Sequence, residues 1–145
     1  MSAVDGGALA VADQLEIEAA YARACRALDF DEPEVYAALF TDAGSFARQT
    51  AAGEIAFKHV GSEELRGFAE QVTQRRAGLA RHWITNVILD AEGDDRVRGF
   101  CYTMLVGTDA ESHAVDISIA GTYHDSLVRT ADGWRFEERV VVDDA

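Results

Sequence analysis

The sequence predicts an α+β domain in which the helices come first and a largely antiparallel sheet follows. Three observations predict it. Apolar residues recur at helical spacing only in stretches before residue 76. From Leu79 to Val142 the chain runs instead in long strand-like segments, broken by turn signals at Glu92-Gly93-Asp94-Asp95, Gly107-Thr108-Asp109 and Ala131-Asp132-Gly133. The 145 residues, 48% of them hydrophobic, suffice for one core and hold no linker, repeat or low-complexity segment that would divide it. Residues 1–145 are therefore expected to form a single domain, with helices packed on one side of a curved sheet.

Met1 to Gly7 is small and polar and reads as frayed. From Ala8 to about Leu28, Leu15, Ala19, Ala22, Cys25 and Leu28 form an apolar stripe, which predicts the first amphipathic helix. Asp31 is placed as the N-cap of a short second helix, with Pro33 in its first turn and an end near Leu39. Thr41-Asp42-Ala43-Gly44 turns the chain, and Ser45–Thr50 and Glu54–Lys58 read as two short strands around Gly53. Ser62 is placed as the cap of a third helix, whose inner stripe is Leu65, Phe68, Ala69 and Val72. Arg75-Arg76-Ala77-Gly78 closes it with cations and a glycine stop. Four long strands follow as a meander, at about 80–90, 96–106, 112–129 and 134–142.

Charge narrows the partner classes. With 26 acidic and 13 basic residues the net charge is -13, spread along the chain, and such a surface repels phosphate backbones and anionic membranes. No basic leader with an apolar run opens the sequence and no run is long enough to span a bilayer, so a soluble cytoplasmic protein is expected. Cys25 and Cys101 lack any CxxC or metal spacing and read as reduced packing residues, with a bridge as the alternative. His59, His82, His113 and His124 show no short ligand spacing, and no glycine-rich phosphate loop or nucleophile elbow occurs. Neither a metal nor a cofactor is expected.

The stretch Arg81-His82-Trp83-Ile84-Thr85-Asn86-Val87-Ile88-Leu89-Asp90 carries the chemistry. Strict alternation puts His82, Ile84, Asn86 and Ile88 on one face and Trp83, Thr85, Val87 and Leu89 on the other. Apolar residues on both faces predict a strand covered on both sides, where an imidazole needs a partner. Asp29, at the end of the first helix, is the candidate; the alternative is a core histidine satisfied by backbone. Alternation in the last strand sets Arg139 opposite Phe136, Val140 and Val142, free to bind an anionic oxygen or to pair with an acidic neighbour. Tyr21 and Tyr36 are the tyrosines placed near the helical mouth; Tyr102 and Asn86 are further pocket candidates. His113 and Asp116 fall on opposite faces of the third long strand, so one of them lines the pocket.

Several of these residues, in this order, resemble a known family. Tyr21 with Asp29, Leu39-Phe40-Thr41-Asp42, Gly61, His82-x-x-x-Asn86, Gly121-Thr122-Tyr123-x-Asp125, Asp132-Gly133-Trp134-Arg135-Phe136 and Arg139 together resemble the SnoaL-like branch of the NTF2-like superfamily, from about Leu15 to Asp143. The resemblance implies a cone: a curved, mixed but mainly antiparallel sheet with three helices on its concave face. The chain looks most similar to the group containing scytalone dehydratase, bile-acid dehydratase and dehydrochlorinase. It implies a His82–Asp29 general base with Arg139 in the pocket; the residues themselves add Tyr21 as a further catalytic candidate and Tyr36, Asn86, Tyr102, His113 and Asp116 as candidates around a hydrophobic small molecule. Ala24 stands where the dehydrochlorinase has a lysine, which argues against a chloride-leaving reaction. The expected activity is a cofactor-independent dehydratase. A ketosteroid-isomerase-like isomerase, a polyketide cyclase and a non-catalytic binding module are the alternatives. Two apolar sheet faces further predict a homodimer through the convex side.

Overall fold

The computed structural model describes residues 8–75 and 77–145; Met1–Gly7, read as frayed, and Arg76, placed in the helix stop, lie outside the described residues. The order is α1 (Val11–Asp29), α2 (Pro33–Ala38), β1 (Phe40–Gln49), β2 (Ile55–Val60), α3 (Ser62–Arg75), β3 (Ala80–Ala91), β4 (Arg96–Thr108), β5 (Val115–Thr130) and β6 (Gly133–Asp143). The six strands form one sheet in the order β2-β1-β6-β5-β4-β3. All neighbours are antiparallel except β1 and β6, which run parallel. The helices pack on one face of this α+β sheet, and their buried side chains meet those of β1, β4, β5 and β6 in one core.

Helix α1 is rotated from the stripe read in the sequence. Its buried residues are Ile17, Ala20, Tyr21, Ala24, Ala27 and Leu28, whereas Leu15 is 62% exposed. In an alanine-rich helix two stripes satisfy the same spacing, and the one carrying Tyr21 buries the larger side chain. The caps also differ from expectation. Glu32 holds the N-cap position of α2 without a side-chain bond, Pro33 opens the helix, and Asp31 sits in the left-handed region at φ 56°. Ser62 is the first helical residue of α3, and the Glu64 carboxylate accepts from the Val60 N–H at 2.6 Å. The expected turn at 41–44 is instead the irregular start of β1. Gly44 is needed there, because a Cβ would come within 2.8 Å of the Phe40 Cβ and 3.0 Å of the Phe136 carbonyl.

Two interruptions of the ladder decide which side chains face the helices. The β3–β4 register shifts between Thr85 and Ile88, with Asn86 at φ 58°. His82 and Ile84 face inward before this bulge, and Val87 and Leu89 face inward after it; Asn86 and Ile88 are exposed. In β6, Glu138 pairs with Ser126 but Phe136 with Leu127, so Glu137 is the extra residue and Arg139 joins Phe136 on the inner face. β3 is also an edge strand, not a central one, and its outer face is open: Trp83 is 57% and Ile88 54% exposed. No helix among the described residues is long and apolar enough to cross a membrane.

Candidate active site

The last residue of α1 and the third residue of β3 meet. The Asp29 carboxylate takes the His82 main-chain N–H at 3.1 Å on each oxygen, and its Oδ1 lies 2.6 Å from His82 Nδ1. Because an ionised carboxylate only accepts, the neutral imidazole carries its ring proton on Nδ1 and its lone pair on Nε2. Nε2 makes no hydrogen bond among the described residues. The side chains are 6% and 13% exposed, so the pair is shielded from bulk water. The neighbours in sequence brace it: the Arg81 guanidinium stacks 4.4 Å from the Phe30 ring centre and donates to the Gly78 and Ala80 carbonyls. The Thr73 hydroxyl donates to the Leu28 carbonyl at 2.8 Å, tying α3 to the end of α1.

Asp29 and His82 line a cavity of about 310 Å³ between the sheet and the helices. Aromatic and aliphatic walls come from Phe46, Phe57, Phe68, Tyr123, Leu105 and Val141; Thr103 and Ser118 add hydroxyls, and Arg48 and Arg75 add charge. The volume is at the lower end of the roughly 300–1,000 Å³ usual for small-molecule sites and suits a molecule of one or two rings. Burial pushes the Tyr123 phenol well up, so it stays a proton donor.

The other residues singled out in the sequence are elsewhere. Arg139 is buried behind the cavity, with Nε 2.9 Å from Asp125 Oδ1 and Nη2 3.3 Å from Oδ2, and lies over the rings of Tyr21, Tyr123 and Phe136. It satisfies the acidic-neighbour alternative. Tyr21 and Tyr36 are fully buried core residues outside the cavity. The Tyr21 hydroxyl lies near Asp125 but outside hydrogen-bonding geometry. Asn86 is turned out by the β3 bulge, and Tyr102 is 49% exposed on the outer face beside Phe100. His113 lies in the turn before β5 at φ 61°, and Asp116, though in β5, is exposed; neither lines the cavity. Sequence reasoning missed Arg48, although it stands two residues after Phe46 in one strand and so shares its face; Tyr123 ranks below Tyr21 and Tyr36 as a candidate hydroxyl in the sequence, and it is the one of the three that lines the cavity.

Both cysteines are free, their thiols pushed up by burial to about 11 for Cys25 and about 12 for Cys101. Among the described residues no group of three or more His, Cys, Asp and Glu side chains is arranged to hold a metal ion.

A one-layer curved sheet with helices on one face and a cavity between them defines an NTF2-like protein of cystatin-like fold. A sequence profile of the SnoaL-like domain matches residues 10–140, and the chain belongs to that family. Among solved structures it is similar to Aln2 from a Streptomyces species, at 26% identity and a TM-score of 0.79 over 94% of each chain. It is also similar to an Asp-to-Asn variant of Rv3472, a Mycobacterium tuberculosis protein of unknown function (25% identity, TM-score 0.76, 92% of this chain and 77% of that one). An NTF2-like protein with a cystatin-like fold from Novosphingobium aromaticivorans shares the fold alone, at 18% identity and a TM-score of 0.78 over 92% of this chain and 83% of that one. No curated protein matches the sequence.

Proposed function

We propose that this chain is a cofactor-independent lyase that removes water from a small, apolar, ring-bearing hydroxy-carbonyl compound. The observation that supports it is the 2.6 Å contact that leaves His82 Nε2 unbonded in the wall of a largely apolar cavity. Nε2 takes the proton from the carbon beside the carbonyl, and Asp29 holds the ring and stabilises the imidazolium that forms. The Tyr123 hydroxyl donates to the enolate oxygen. The C–O bond to the leaving hydroxyl then breaks, the imidazolium proton goes to that oxygen, and water and a C=C bond result. No redox change occurs. The same reading includes a homodimer through the outer sheet face, where Trp83, Tyr102 and Ile88 are exposed.

The base and the elimination can be tested separately. In D2O the wild type is expected to exchange the α-protons of 1-indanone and to convert 3-hydroxy-1-indanone to indenone. His82→Gln should lose both by about 10²–10⁴-fold. Equal rates in the two proteins would end the reading.

A further inference from the structure

We infer that Arg48, held in place by Asp143, is a binding subsite for a carboxylate on the substrate, so that the cavity takes apolar one- or two-ring carboxylic acids. The inference rests on the reading of the cavity as a substrate site and adds what that site selects.

Arg48 faces inward from β1, the strand next to one edge of the sheet, while His82 faces inward from β3 at the opposite edge. Because the sheet curves around the cavity, the two line it from separate walls. Asp143, at the end of β6, takes the Arg48 Nε–H at 2.9 and 3.1 Å and an Nη2–H at 2.9 Å. That uses one edge of a planar fork with five N–H donors. The Nη1 edge carries no hydrogen bond among the described residues, and the side chain remains 34% exposed. A guanidinium gripped along one edge is oriented in advance for a bidentate carboxylate on the other.

The chain as a whole carries -13, so an anion approaching the surface is repelled. The charged or titratable side chains in the cavity wall are Asp29, Arg48, Arg75 and His82, with the phenol of Tyr123. Asp29 is fully hydrogen-bonded by the main chain and ring of His82, and Arg48 shares its charge with Asp143, so what Arg48 offers an anion is the N–H donors of its second edge. A strand tie alone would give no reason for the guanidinium to form part of an apolar pocket wall.

The test is binding of 2-naphthoate and of its neutral isostere 2-naphthamide to the intact protein by titration calorimetry at pH 8.5, where an ordinary imidazole is neutral. The wild type is expected to prefer the carboxylate by about ten-fold. His82→Gln should keep that preference, and Arg48→Gln should reduce it to within two-fold. Arg48→Lys, whose compact ammonium retains the tie to Asp143 but offers no second edge, should fold as the wild type does and lose most of the preference as well. Equal binding of the two probes by the wild type, or an undiminished preference in both Arg48 variants, would overturn this inference alone. Binding of neither probe would overturn the cavity reading together with it.

Discussion

Asp29→Asn is the substitution whose outcome the geometry determines most closely. Asp29 Oδ1 faces both the ring Nδ1 (2.6 Å) and the main-chain N–H (3.1 Å) of His82, whereas Oδ2 faces only that N–H (3.1 Å). An asparagine has one oxygen for these two places. With its oxygen at the Oδ1 place it keeps the Nδ1–H bond but turns its NH2 toward the main-chain N–H, donor against donor. With its oxygen at the Oδ2 place every group is satisfied, but the NH2 donates to Nδ1 and the ring proton moves to Nε2. The first arrangement leaves a buried donor unpaired, at about 1–3 kcal/mol, so the productive tautomer falls by roughly 5- to 150-fold. Loss of the carboxylate that stabilises the imidazolium adds to this, giving a total near 10²–10⁴-fold. Stability should fall by only about 1 kcal/mol, or roughly 2–5 °C in Tm, since one charge-assisted bond becomes a neutral one. Exchange of 1-indanone α-protons in D2O measures the rate, and long-range ¹H–¹⁵N correlation of His82 reads the tautomer. A variant with wild-type exchange, or one that loses exchange while Nδ1 keeps its proton, would refute this reasoning.

A Cβ at Gly99 would run into the Tyr21 hydroxyl oxygen, so Gly99→Ala should cost about 1–3 kcal/mol in urea denaturation. Tyr21→Phe, which removes a hydroxyl with no hydrogen bond, should restore much of it. Asp13 is held at about 2, below its ordinary 3.8, by hydrogen bonds from Arg129 and Trp134. A depressed carboxyl contributes its stabilisation in full above about pH 4 and loses it as the pH falls toward 2. Calorimetric Tm should therefore drop across that window, and Asp13→Asn should flatten part of the drop while lowering Tm at pH 7. The exposed Trp83 and Tyr102 on the outer sheet face predict a dimer by light scattering, and Trp83→Asp should shift it to monomer. A wild-type monomer at micromolar concentration would count against that interface.

The element order is legible in the sequence because helical and strand periods occupy separate halves of the chain. All four meander strands, β3 to β6, lie within a few residues of where the turn signals put them. Which face a residue occupies is less legible. A bulge is one extra residue, and in β3 and β6 the single steps near Asn86 and Glu137 invert everything beyond them. Alternation carried through the first of these assigns Asn86 and Ile88 to the inner face, and alternation carried through the second sets Arg139 opposite Phe136. His82 and Asp29 escape this error because His82 precedes the bulge and Asp29 belongs to a helix end. The α1 stripe fails for another reason: alanines contribute too little area to fix which side of a helix is buried, and only Tyr21 and Ile17 decide it.

Arg139 and the cavity are related through Tyr123. The ring of Tyr123 lies 4.2 Å from the Arg139 guanidinium on one side and lines the cavity on the other. Behind Tyr123, Arg139 packs against Tyr21 and Phe136 and pairs with Asp125, with side-chain exposures of 3% and 0% for the ion pair. Breaking such a pair strands a buried charge at about 3–5 kcal/mol, so a buried guanidinium is kept where its partner cannot move. None of these four residues lines the cavity, whereas Arg48 does, and it is accessibility rather than hydrogen-bond occupancy that separates the two arginines: the Arg48 side chain is 34% exposed and that of Arg139 3%. The arginine of the last strand thus packs behind the pocket, against the ring of Tyr123. The arginines that line the cavity are Arg48 of β1 and Arg75 of α3.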